Sequence, residues 1–294
     1  MATFYLGPSG DDANNGSAGS PWLNLNYALS NSGTTDTIVI QEGTINQTAG
    51  ISNVSIGNRI LVGGSSDSLK NILDFNGLEI ERIGAASLSR IDGFTIQNVR
   101  MSSVSRPIFQ GSFEPQSFDR MVLKDIWLAG YGNGSLPAGG VFQDCVAANI
   151  TNSLFINIRG VDGSGGSYSL FSYDRDPGTI TLKNCTIYSN TAAVTGSVEI
   201  DRIFAVRTDP GETVNVNLQN TIILYENDGF ISDFFLKLGA GTINVTVSSS
   251  LFHNVAYDQG GSGVITTDPL FVDALNGDFR LRPASPCIGT GSLT

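Results

Sequence analysis

The chain has 294 residues, enough for one large domain or two of average size, and 40% are hydrophobic, which excludes wholesale disorder. Charged residues make up 15% and glycines number 35, a balance that excludes a long helical bundle and points to an all-β chain rich in turns. The net charge of −11, with 16 Lys+Arg and no basic block, argues against a nucleic-acid partner, which would need its phosphates neutralised.

No apolar run reaches the ~18 residues that a membrane-spanning helix needs, so no membrane partner is expected. The opening MATFYLGPSG has neither a basic n-region nor an apolar h-region. Either the chain is not exported by a signal peptide or a leader lies outside this sequence. Cys145, Cys185 and Cys287 are too few and too scattered for a disulfide framework. There is no CxxC, and His253 is the only histidine, so no metal and no cofactor are expected.

In chain order, the first feature is the polar loop PSGDDANNGS, with Asp11, Asp12, Asn14 and Asn15. Its spacing is that of a calcium loop without the bidentate Glu, and a polar turn is the plainer reading. Pro21 stands where a helix would start, and Trp22, Leu25, Ala28 and Leu29 share one helical face. This predicts a short amphipathic lid.

Farther along, a six-residue pattern recurs: IDGFTI from Ile91, LKDIWL from Leu123, ITNSLF from Ile150, LKNCTI from Leu182, LQNTII from Leu218 and VSSSLF from Val247. An asparagine follows five of the six copies, at Asn98, Asn157, Asn190, Asn227 and Asn254. The approach to the late copies alternates with period two, as in Ile180-Leu182, Val214-Val216-Leu218 and Ile243-Val245-Val247, which means strands with one buried face. The turns DPGT, DPGET and GAGT precede these strands, and Pro-Gly at the centre of a turn suits type II. Further short strands are expected at Tyr168–Tyr173, Ile203–Val206 and Phe234–Leu238.

A turn-plus-strand unit every ~30 residues, without helix formers and too short for a propeller blade, predicts a right-handed parallel β-helix, a solenoid with a short N-terminal helical cap. The expected organisation is a single β-helix domain over 1–294, with a cap region at 1–36 and a closing coil at 264–294. Leu182, Leu218, Val247, Ile187, Ile223 and Phe252 should point inward and stack coil on coil. The irregular stretch Arg106–Phe118, with Pro107, Phe109, Phe113 and Phe118, reads either as a flap over the β-helix or as an interface.

The segment FYLGPSGDDANNGSAGSPWLNLNYAL, the following DTIVIQEGTI and the closing DPLFVDALNGDFRLRPASPCIGTG resemble the two ends of β-helix proteins of the pectate-lyase-like superfamily. The resemblance implies the fold. It specifies function weakly, because this fold carries lyases, hydrolases, adhesins and phage spikes. Of the polygalacturonase signatures, NTD, GHG and RIK are absent, and the only DD pair, Asp11-Asp12, lies in the N-terminal loop. No GxSxG is present.

If the protein is an enzyme, its candidate catalytic residues are Asp174, Arg175, Asp176, Asp201, Arg207 and Asp209. Coils near 30 residues should bring YDRDPG beside VRTDPG, with Asp201 and Arg202 on the same face. Paired carboxylates and an arginine could hold a sugar, a Ca²⁺ ion or a uronate. The plainer reading is that each Asp opens its turn and the arginines neutralise stacked acids. Cys185 occupies a position held by Ser or Thr in other copies and reads as part of a small-residue stack.

Three functions follow as expectations. The first is a non-enzymatic virion structural protein, a phage capsid decoration (cement) protein or short spike, homotrimeric and bound to the major capsid protein or another virion protein. The second is a polysaccharide lyase, glycoside hydrolase or tailspike depolymerase acting on an acidic polysaccharide. The third is a carbohydrate-binding module in which Trp127, Tyr131 and Tyr225 stack on sugars. The matching locations are the phage particle for the first and an extracellular or cell-surface site otherwise.

Overall fold

The computed structural model describes residues 1–292 except 53, 86–89, 102–106, 111–114, 129–139, 146, 162–168, 175–176, 191–196, 200–201 and 227–233. Of residues 85, 115–116, 161, 174, 197–199 and 236 it describes the backbone alone. The chain winds as a parallel β-solenoid with three sheets, each adding one strand per coil. The first sheet has nine strands, from Thr3–Leu6 and Thr37–Ile40 to Thr213–Gln219 and Thr242–Ser248. The second runs from Gly43–Asn46 through Thr95–Arg100, Val122–Leu128 and Leu154–Val161 to Leu251–His253. The third has seven strands, among them Phe109–Gln110, Ser169–Asp174, Arg202–Thr208 and Phe235–Gly239. The last three of these match the expected extra strands, with Phe234 just before its strand and Tyr168 outside the described residues.

The alternating residues fill the interior as their period predicts. Leu182, Leu218 and Val247 lie in register on successive strands, as do Ile187, Ile223 and Phe252, and all six are buried. Inside the third sheet, Phe109, Phe142, Phe171, Phe204 and Phe235 form a column of stacked rings with centroids 5.0–5.2 Å apart. Phe118 and Phe155 meet this column edge-on. Offset stacks and edge contacts are the favoured aromatic geometries and add to the burial energy.

This column corrects one expectation. Phe109 and Phe118 belong neither to a flap nor to an interface but to the core, each 1% exposed, and Pro107 is buried. Arg106 and Phe113 lie outside the described residues.

The corner between the first and second sheets explains the six-residue pattern. Its third residue takes a left-handed conformation: Asn152 (φ 51°), Asn184 (φ 55°), Asn220 (φ 50°) and Ser249 (φ 47°). Asn tolerates this region better than other side chains. The amides also chain together: Asn152 donates to Asp119 (2.8 Å), Asn184 to Asn152 (3.1 Å) and Asn220 to Asn184 (3.0 Å). The next residue, Ser153, Cys185, Thr221 or Ser250, points inward and bonds the carbonyl two residues back. Cys185 therefore sits in a small-residue stack, and burial pushes its thiol up to about 12.

One copy of the pattern is out of register. Phe118, not Leu123, pairs with Ile91 and Ile150, so the corner motif of that coil reads FDRMVL, with Arg120 (φ 50°) at the left-handed position. LKDIWL belongs to the second sheet. There Asp125 (φ 52°) lies level with Asn98 (φ 56°) and Asn157 (φ 53°) at a second left-handed bend. Asp125 thus fills the coil that lacked an asparagine.

The N-terminal lid is the helix Leu25–Asn31, which buries Leu25, Ala28 and Leu29 beside Trp22. It starts four residues after Pro21, because Asp12 accepts from the amides of Leu23 (3.1 Å) and Asn24 (2.9 Å), and Gln47 accepts from that of Leu25 (2.7 Å). The segment expected as the closing coil divides in two. Ile265 bridges to Leu251 at the solenoid's end. Beyond it, Phe271–Asp273 and Asp278–Leu281 form an antiparallel hairpin. The hairpin packs on the outer side of the second sheet, against Val122, Ile156, Tyr188 and Leu224.

Candidate functional site

The acid–arginine turns come first, because they held most of the sequence-derived candidates. Asp174 lies in register with Arg207 on adjacent strands of the third sheet, as the coil spacing predicts. Arg175, Asp176 and Asp201 lie outside the described residues. Asp209 is exposed and opens a turn in which its carbonyl accepts from the Glu212 amide (3.1 Å) and Gly211 holds φ 91°. Glu212 in return accepts from the Asp209 amide (2.6 Å). The positive φ at the third position is that of a type II turn, which the Asp209 backbone opens.

Other acids are engaged in the fold. Asp12 holds the lid helix, and Asp11 accepts from the Ala13 amide (2.9 Å), the geometry of a polar turn. Asp92, 2% exposed, lies between Arg90 and Arg120, with Arg120 Nη2 at 2.7 Å. Asp74 accepts from Gln97 (2.7 Å) and Asn98 (2.9 Å). Among the described residues no group of three or more His, Cys, Asp and Glu is arranged to hold a metal ion. His253 sits at the edge of the second sheet with Nδ1 3.1 Å from the Thr266 carbonyl.

The three sugar-stacking candidates separate. Tyr225 is 1% exposed and belongs to the core, so it cannot stack on a ligand. Tyr131 lies outside the described residues. Trp127 is half-buried and lines an open cavity of about 280 Å³ with Asn76, Gly77, Asn98 and Arg100.

Three consecutive coils build this cavity. Asn76 (φ 49°) and Gly77 (φ 82°) form a tight turn after the strand Asn71–Asp74, and the Gly77 amide donates to the Asn98 carbonyl (2.7 Å). Asn98 and Arg100 come from the next coil, and Trp127 pairs in register with Arg100 one coil further on. The left-handed bends at Asn98 and Asp125 reset the alternation, which brings Arg100 and Trp127 to the outer side while Val99 and Ile126 stay buried. Both carboxylate oxygens of Asp74 accept from Asn98 Nδ2 (3.0 and 2.9 Å), which turns Oδ1 of that amide away from Asp74. Among the described residues, the Arg100 guanidinium, the Trp127 indole N–H and the Asn76 amide have no side-chain hydrogen bond or ion pair. The site therefore offers one half-buried aromatic face, several neutral donors and acceptors, and one cation at an open cavity.

A second cavity, of about 230 Å³, lies beside the C-terminal hairpin and is lined by Glu226, Asp268, Asp273 and Arg282 among apolar side chains. Glu226 there accepts from Tyr188 Oη (3.0 Å) and Asn190 (3.3 Å). Burial first, and then the nearby carboxylates, push the Tyr188 phenol well above its ordinary value. Sequence reasoning singled out Trp127 but missed Asn76, Asn98 and Arg100 as its neighbours. The recurrent asparagine at Asn98 was the one signal that pointed there.

No protein-family model and no curated protein matches the chain. Among solved structures, a rhamnogalacturonan lyase aligns over 86% of this chain and 68% of its own, at 14% identity and a TM-score of 0.46. A pectate lyase aligns over 99% and 92%, at 13% identity and a TM-score of 0.40. A pectin methylesterase in complex with a hexasaccharide aligns over 90% and 80%, at 13% identity and a TM-score of 0.37. The likeness is one of fold, and the parallel β-solenoid itself rests on the strand register of this chain.

Proposed function

We propose that this protein is a non-catalytic saccharide-binding β-solenoid and that its ligand is a glycan carrying an anionic group, held in the Trp127 cavity. The observation that carries this reading is the Trp127 indole beside Arg100, which has no ion pair among the described residues, with the amides of Asn76 and Asn98 at the same opening. An indole face covers the apolar side of a pyranose ring, while its N–H and the neighbouring amides serve the hydroxyls. A guanidinium forks to a carboxylate or sulfate. In a chain of net charge −11, an arginine without an ion pair among the described residues gives local selectivity without a general attraction for anions.

The test is titration of acidic and neutral oligosaccharide panels against the protein. Saturable binding that weakens about tenfold or more in Trp127→Ala supports the reading, since tenfold corresponds to ~1.4 kcal/mol. Binding that is unchanged in Trp127→Ala, or undetectable with every glycan, rejects it. Reproducible release of unsaturated or reducing ends, lost in Asp174→Asn or Asp209→Asn, would favour the lyase or hydrolase reading instead. The virion reading loses its proposed contact at Phe109 and Phe118, since both are core residues. Copurification with particles is the direct test of that reading.

A further inference from the structure

The two side-chain ladders of the solenoid differ in one rung. At the corner between the first and second sheets the rungs from Asp119 onward are closed. Asn152 donates to Asp119, Asn184 to Asn152 and Asn220 to Asn184, and Asn220 Oδ1 accepts from the Ser292 amide (2.8 Å). At the second left-handed bend the amides again reach back one coil. Asn98 donates to Asp74 and Asn157 to Asp125 (3.1 Å), and Asn157 Oδ1 accepts from the Asn190 amide (3.2 Å). Between Asn98 and Asp125 the rung is open. An ionised carboxylate only accepts, so Asp74 fixes Nδ2 of Asn98 toward itself and leaves Oδ1 for the next coil. Asp125 stands level with Asn98 there and has no hydrogen to give. Two acceptors therefore meet where other rungs close at 3.0–3.1 Å, and among the described residues no group donates to Asn98 Oδ1.

This gap adjoins the Trp127 cavity. Asn98 lines that cavity, Arg100 lies two residues beyond Asn98, and Trp127 two beyond Asp125. The Asp125 side chain is 26% exposed, and Lys124 Nζ stands 3.9 Å from its Oδ2. We propose that a hydroxyl of the bound glycan supplies the missing hydrogen between Asn98 Oδ1 and Asp125, which makes Asp125 a specificity-determining residue. The inference rests on the Trp127 cavity being a saccharide site. A hydroxyl hydrogen can turn to either oxygen. An ether, an ester or a bare hydrogen in its place leaves both acceptors unserved, and a polar site rejects such analogues most strongly. Asp125 also orients the ligand. Its charge repels an anionic group, so the hydroxyl faces Asp125 while the anion faces Arg100.

Asp125→Asn tests this, because it supplies the absent amide from within the chain. Asn tolerates φ 52° and can close the rung to Asn98, so the variant should fold and melt no lower than the unmodified protein. The probes are methyl glucuronoside and methyl galacturonoside, each beside deoxy forms lacking one hydroxyl, titrated calorimetrically. In the unmodified protein one hydroxyl should be worth about tenfold or more in affinity. Asp125→Asn should bring that ratio close to one while binding that depends on Trp127 persists. A ratio unchanged in Asp125→Asn, or a variant that melts well below the unmodified protein, would overturn the inference and leave the saccharide reading standing. Binding of neither probe would overturn it as well, and the wider glycan panel with Trp127→Ala decides the saccharide reading separately.

Discussion

The two ends of the solenoid solve the same problem with unequal means. At the start, a lid helix lays Leu25, Ala28 and Leu29 on the first coils, and Trp22 stacks on Phe4 at 4.6 Å. The lid is fastened at both termini. Asp12 and Gln47 hold its first amides, and the buried Arg59 donates to the carbonyls of Leu29 (2.8 Å) and Ser32 (2.7 Å) at its last turn. Desolvation lowers the Arg59 pKa, so those carbonyls and Ser32 Oγ carry the solvation that the guanidinium has lost. At the other end, a loop and one tyrosine cover the core near Phe252, and the hairpin folds back along the outer wall instead of closing the barrel. A coil keeps its apolar residues dry only where something lies above it. The terminal coil's stability therefore depends on its cap and the middle coils' on their neighbours.

The largest expected effect sets the scale from the middle. Leu218→Asp would leave a charge among Leu182 and Val247 with no partner and cost about 4 kcal/mol or prevent folding, read by denaturant unfolding. Unchanged stability would reject the stacking register. At the closed end, Leu29→Ala should cost about 2–4 kcal/mol, because the fastened lid cannot collapse into the cavity. At the half-open end, Tyr257→Ala should cost only about 1–2 kcal/mol, the scale of its two aromatic contacts, with Phe252 and Phe234, at a partly exposed site. Equal losses for Leu29→Ala and Tyr257→Ala would erase the contrast between the ends. Cys185→Ser should be tolerated to within about 1 kcal/mol, since Ser153 and Ser250 occupy equivalent positions, and the native thiol should resist alkylation near neutral pH.

The smallest effect lies in the hairpin. Bonding to Arg280 holds the half-buried Asp278 carboxyl at about 2, below its ordinary 3.8. The fold thus favours the ionised form. The contribution is present above about pH 4 and is lost as pH falls toward 2. Arg280→Ala should move the Asp278 titration back toward 3.8, as followed by NMR, with little change in global stability.

The sequence by itself determined the solenoid, the inward residues of its late coils, the lid's apolar face and the turn at Asp209. All of these follow from local periodicity and backbone preference, which a strand or turn carries wherever it is placed. It did not determine which of two similar hexapeptides, FDRMVL or LKDIWL, forms the corner after residue 117. Both alternate in an acceptable way, and only pairing with Ile91 and Ile150 separates them. That choice moved Phe118 into the core and Asp125 to the second bend. The Trp127 cavity was legible only in part for the same reason. Asn76, Asn98, Arg100 and Trp127 lie on three coils, and their meeting depends on register and on two left-handed bends that turn side chains outward. The hairpin's place on the second sheet also depends on which surfaces the remaining chain covers, and no local pattern encodes that.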